Sequence, residues 1–114
     1  MIEFLQTIQV KPVFHNDEQI FTFDADTFSF EPSSSDDEGG MLYNCDHVFV
    51  IDTPDKDILS FFSSPRSAIV TLKDSRQNRY DIGTDLLPAR VYLQPYLNRT
   101  RLYMSCRMPT NPLL

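Results

Sequence analysis

The chain has no tryptophan, three glycines, two histidines and two cysteines among its 114 residues. Gly39, Gly40 and Gly83 cannot supply a glycine-rich loop that cradles phosphate. With only His15 and His47 there is little to activate a nucleophile, which needs a base within hydrogen-bond reach. Neither histidine stands in a motif such as Gly-x-Ser-x-Gly. Two cysteines, Cys45 and Cys106, are too few for a disulfide scaffold and agree with a reducing compartment. No apolar run approaches the roughly 18 residues that span a bilayer. Met1-Ile2-Glu3-Phe4-Leu5-Gln6 places no Lys or Arg ahead of an apolar stretch. The expectation is a cytoplasmic protein with no membrane partner, no catalytic signature, no metal and no implied cofactor.

What is present is bulk for a core. The hydrophobic fraction is 41%, with nine Phe and five Tyr. This length is enough for one self-supporting domain over residues 1–114. Ile2, Phe4, Ile8 and Val10 fall on even positions between polar residues, the period of a half-buried strand. Ile20-Phe21-Thr22-Phe23 and Phe28-Ser29-Phe30 read as further short strands. Residues 31–40 hold no apolar side chain beyond Pro32 and combine like charges with Gly and Ser, the composition of a flexible acidic loop.

Leu42 to Ile51 alternates again and, being partly apolar on both faces, reads as a strand near a sheet centre. Thr53-Pro54-Asp55-Lys56-Asp57 opens a short helix over 54–63, with Ile58, Leu59 and Phe62 as its buried stripe. Ser67–Lys73 and Arg79–Gly83, joined by a polar turn, form a hairpin. Ala89–Gln94 and Arg101–Met108 make a second antiparallel pair. The prolines of 109–114 leave an irregular tail. The fold class is therefore mainly β: an antiparallel sandwich or partly closed barrel of about seven or eight short strands with one short helix.

Three constellations invite chemistry. Cys45, His47 and Cys106 would be three metal ligands if their strands were neighbours, one short of a structural zinc site; buried free thiols are the simpler reading. The acids Asp24 and Asp26, Asp36-Asp37-Glu38, and Asp52, Asp55 and Asp57 lack the spacing of a calcium loop and read as turn and helix-start chemistry. The third is a surface. Arg90, Tyr92, Arg101, Tyr103 and Arg107 alternate with the apolar residues of the last two strands and so share the outward face, a composition enriched at protein interfaces. It also matches a stacking platform for single-stranded nucleic acid. A net charge of −6 argues against that partner.

The net charge conceals a split. Residues 1–65 carry thirteen acids against two lysines, and residues 66–114 carry eight basic side chains against three acids. Either the halves neutralise each other within one molecule, or the acidic surface of one copy meets the basic surface of the next, head to tail.

Ser64-Pro65-Arg66-Ser67-Ala68-Ile69-Val70, with Ile82-Gly83-Thr84, Pro88-Ala89-Arg90-Val91 and Leu97-Asn98-Arg99, resembles small uncharacterised proteins of prophage-like or mobile elements in Bacteroides-type gut bacteria. The likeness covers residues 64–114. It implies a virion assembly part near the tail rather than an enzyme, and it transfers no catalytic residue. The expected function is thus a non-catalytic structural or interaction module working through a protein partner or self-association. The alternatives are a ligand-binding or enzymatic β-barrel with a dispersed pocket and a single-stranded nucleic-acid binder.

Overall fold

A computed structural model describes residues 4–13, 19–37 and 40–113. It is mainly β. In chain order the described elements are β1 (Phe4–Pro12), β2 (Phe21–Asp24), β3 (Ser33–Asp37), β4 (Gly40–Asn44), β5 (His47–Ile51), α1 (Lys56–Phe61), β6 (Arg66–Asp74), β7 (Arg79–Ile82), β8 (Ala89–Tyr96), β9 (Arg99–Ser105) and β10 (Arg107–Met108). The main sheet runs β2-β1-β6-β8-β9-β5, with β7 also paired to β6, and a small sheet runs β10-β4-β3. Every named pairing is antiparallel.

The main sheet curls until its two edges touch at one place. Ala25, just past β2, bridges Ile51 of β5. The Asp26 N–H donates to the Val50 carbonyl at 2.8 Å, and the Asp52 N–H to the Asp24 carbonyl at 2.9 Å. A single bridge does not close a barrel. It does enclose the inward positions: Ile8, Val10, Phe49, Ile51, Val70, Leu72, Val91 and Leu102 are all buried. Each of them is one phase of the period-two alternation, so the polar phase is left facing out. Phe62, immediately after α1, is fully buried among Phe21, Phe23 and Phe61. Its carbonyl accepts the Leu93 N–H at 3.0 Å, fixing the helix onto β8.

Several expectations change here. The single central strand over Leu42–Ile51 is two strands in different sheets, and β5 lies at a sheet edge. The cause is local. Asn44 Oδ1 accepts the Asp46 N–H at 2.9 Å, and Asp46 Oδ1 accepts the Cys106 N–H at 3.0 Å, so side chains take the donors a ladder would use. The strand opposite breaks at the same level, dividing Arg101–Met108 between β9 and β10. Register is nonetheless kept across the break. Met104 faces His47 and Arg107 faces Asn44, making this one antiparallel pair bent at a corner between the two sheets.

Phe28-Ser29-Phe30 is not a strand; its rings pack instead, Phe28 against Phe4 and Phe49 and Phe30 against His47. Within the expected loop at 31–40, Ser33–Asp37 pairs with Gly40–Asn44. The backbone ladder of a hairpin needs no apolar side chain, and hydropathy therefore gave no sign of it. Residues 38 and 39 lie outside the described residues, as do Met1–Glu3, His15 and Leu114. The helix begins at Lys56, not at Pro54, with Asp55 at the N-cap position and no side-chain cap, while the Thr53 hydroxyl accepts from Thr100 Oγ1 at 3.1 Å. Residues 109, 110, 112 and 113 are bends and turns.

Candidate interaction surface

The β8–β9 hairpin sets the geometry of the outward face. Its register places Arg90 opposite Ser105, Tyr92 opposite Tyr103, Gln94 opposite Arg101 and Tyr96 opposite Arg99. Four of the five sequence-identified residues, Arg90, Tyr92, Arg101 and Tyr103, are thus on one patch of one hairpin. Arg107 is exposed but belongs to β10, on the small sheet beyond the corner.

The patch is ordered by its own contacts. Tyr92 and Tyr103 stack with ring centroids 4.6 Å apart and an interplanar angle of 6°. The Arg101 guanidinium lies over the Tyr96 ring, 3.9 Å from its centroid. The Tyr103 side chain is the largest influence raising the Arg101 pKa, outweighing desolvation. One face of each of these three rings is already covered.

Sequence reasoning missed part of the patch. Because β5 pairs with β9, Val48 faces Tyr103 and Val50 faces Arg101, and both valines are exposed, at 47% and 37%. The apolar character of this second face of 42–51 was visible in sequence; its neighbour was not. Tyr96 continues the alternation from Arg90 and is 51% exposed. Leu97 follows in the two-residue turn, 87% exposed and at φ +54, a left-handed backbone unusual for a branched side chain. The hairpin tip thus holds an apolar residue outward in a conformation that Leu disfavours.

Charge on the patch is left over from the fold. Among the described residues, ion pairs join Arg79 to Asp81 and Arg99 to Asp26 and Asp52, and none involves Arg90, Arg101 or Arg107. Arg99 clasps the place where the sheet edges meet, reaching Asp26 at 2.7 Å, Asp52 at 3.2 Å and the Ile51 carbonyl at 3.3 Å. Two of the acids weighed for calcium therefore serve as its counterions.

The other constellations separate similarly. Cys45 and Cys106 are brought together, with the Cys45 N–H donating to the Cys106 carbonyl at 2.8 Å. His47 packs among Phe28, Phe30 and Phe49, where burial lowers its pKa. Among the described residues no three His, Cys, Asp or Glu side chains group as metal ligands. A depression of about 140 Å³ on the outer surface of β1, β6 and β7 is lined in part by Lys11, Ile20, Thr71 and Arg79. It is small beside the roughly 300–1,000 Å³ that encloses an organic ligand. No family model, curated protein or solved structure matches this chain.

Proposed function

We propose that this protein is a non-catalytic interaction module that self-associates head to tail, the β8–β9 outer face of one copy receiving the acidic surface of the next. The observation that carries this reading is the pairing of Arg90 and Arg101, which take part in no ion pair among the described residues, with partly exposed tyrosines and the exposed Val48, Val50 and Leu97. Arginine and tyrosine anchors beside apolar area are the composition of interface centres. The complementary charge is available on the same molecule: Glu31, Asp55 and Asp57 are exposed and take part in no ion pair among the described residues. A basic patch on one copy and exposed acids elsewhere on the next would make a heterologous contact, which builds rings or stacks. The resemblance of residues 64–114 to prophage-like proteins supplies a setting for such assembly, a tail or head-tail part of a virion.

Light scattering on a sizing column tests this. At low salt the mass should rise with protein concentration, and it should fall toward the monomer when salt shortens the Debye length to about 3 Å near 1 M. A monomer at every protein and salt concentration would sink the proposal.

A further inference from the structure

We propose that Cys45 and Cys106 form an oxidation site, at which a small disulfide of the glutathione type converts the two thiols into one intramolecular disulfide tying the two sheets together at their shared corner.

The geometry comes from register. Asn44 faces Arg107 on one side of the corner and His47 faces Met104 on the other, so Cys45 lies directly opposite Cys106. The Cys45 N–H to Cys106 carbonyl bond at 2.8 Å holds the two backbones at ladder distance there. Directly opposed residues of an antiparallel pair have Cα atoms about 4.5–5.5 Å apart. A disulfide spans Cα separations of about 4.4–6.8 Å, so the corner need not open to be bridged. Opposed residues also project to the same face, and both side chains are buried, at 0% and 6% exposure.

The chemistry balances without any group from elsewhere in the protein. Cys106, the slightly more exposed of the two, loses its proton and attacks one sulfur of the small disulfide, expelling a thiolate that takes up that proton. The Cys45 thiol then loses its proton and attacks the mixed disulfide at Cys106, expelling the second thiolate, which is protonated in turn. Two protein S–H bonds are replaced by one S–S bond while the oxidant is reduced to two thiols. Burial, the neighbouring Cys106 and then Asp46 push the Cys45 thiol up to about 11, and burial and Asp46 raise Cys106 as well. At neutral pH both stay protonated, making the reduced form the slow-reacting resting state.

The test incubates the full chain with oxidised glutathione at pH 7 and pH 9 and follows intact mass, peptide mapping and thermal unfolding. Loss of two hydrogen atoms, a mapped Cys45–Cys106 link reversed by dithiothreitol, and a rate about tenfold or more higher at pH 9 are expected. The link closes a long loop in the unfolded chain, and Tm should rise by about 5 °C or more. Cys45→Ala should stop at the glutathione adduct on Cys106. A parent chain that stays dithiol at both pH values, gives only the adduct or intermolecular dimers, or loses Tm on cross-linking overturns the proposal.

Discussion

The hairpins β6–β7 and β8–β9 are neighbours in one sheet, yet they use polar residues in opposite ways. In β6–β7 the polar groups are turned on each other. Asp74 accepts the backbone N–H groups of Arg76 and Asn78 at 2.9 Å each, the Asn78 side chain at 3.1 Å and the Tyr80 hydroxyl at 2.8 Å. Thr71 donates to Asp81 at 2.7 Å, and Arg79 pairs with that same carboxylate. In β8–β9 the Arg101 guanidinium rests on the Tyr96 ring, and no carboxylate among the described residues meets Arg90 or Arg101. One hairpin is closed on itself and serves the fold; the other is left open toward a partner.

The largest effect should come from the closed hairpin. Desolvation pushes the Asp74 pKa up, but the hydrogen bonds from Asn78, Tyr80 and Arg76 outweigh it and hold it below the ordinary carboxylate value. Its contribution to stability is therefore complete above the unfolded pKa near 3.9 and is lost as pH falls through the lower folded value. Asp74→Ala should lower Tm by on the order of 10 °C, since several turn donors lose their acceptor at once. Asp74→Asn should flatten the acid limb of a stability-against-pH curve, read by denaturant titration at each pH.

Next is the link between the hairpins. Gly83 has φ +94, and a Cβ there would stand 2.7 Å from the Ala89 nitrogen and 3.3 Å from the Pro88 carbonyl carbon. Backbone atoms cannot swing aside, so Gly83→Ala should cost about 1–3 kcal/mol in urea unfolding.

How much of this contrast was legible in the sequence depends on range. The alternation in 67–73 and 89–93 fixed which residues face out, because side-chain period is a local property of a strand. The Arg and Tyr face of β8–β9 could be read for the same reason, since both strands and their short turn lie within twenty consecutive residues. Placing β5 beside β9 could not: nothing local in His47–Ile51 names a partner some fifty residues away, so Val48 and Val50 went unassigned. Arg99 was missed likewise, as its two carboxylates come from distant segments. The corner at Cys45 and Asp46 was hidden because its cause is side chains capturing backbone donors, which leaves hydropathy unchanged.

Smaller effects belong to the open hairpin. A double-mutant cycle on Tyr92→Ala and Tyr103→Ala should give a coupling of about 0.5–1.5 kcal/mol, the worth of an aromatic pair beyond its area. Leu97→Asn should gain about 0.5–1 kcal/mol of stability, because Asn tolerates the left-handed turn position, while weakening association by removing the apolar tip. A substitution that stabilises the fold and harms assembly would separate the two roles cleanly. Arg90→Glu with Arg101→Glu should change stability little, by about 0.5–1 kcal/mol, the worth of the lost Arg101–Tyr96 contact, since neither arginine takes part in an ion pair among the described residues.

That last pair of substitutions supplies the most direct test of the open face as the working surface. Sedimentation equilibrium of the parent and of the Arg90→Glu, Arg101→Glu protein at low salt should show an associating parent and a folded variant that stays monomeric, its Tm lower by no more than about 8 °C. A folded variant that assembles as the parent does would contradict the account.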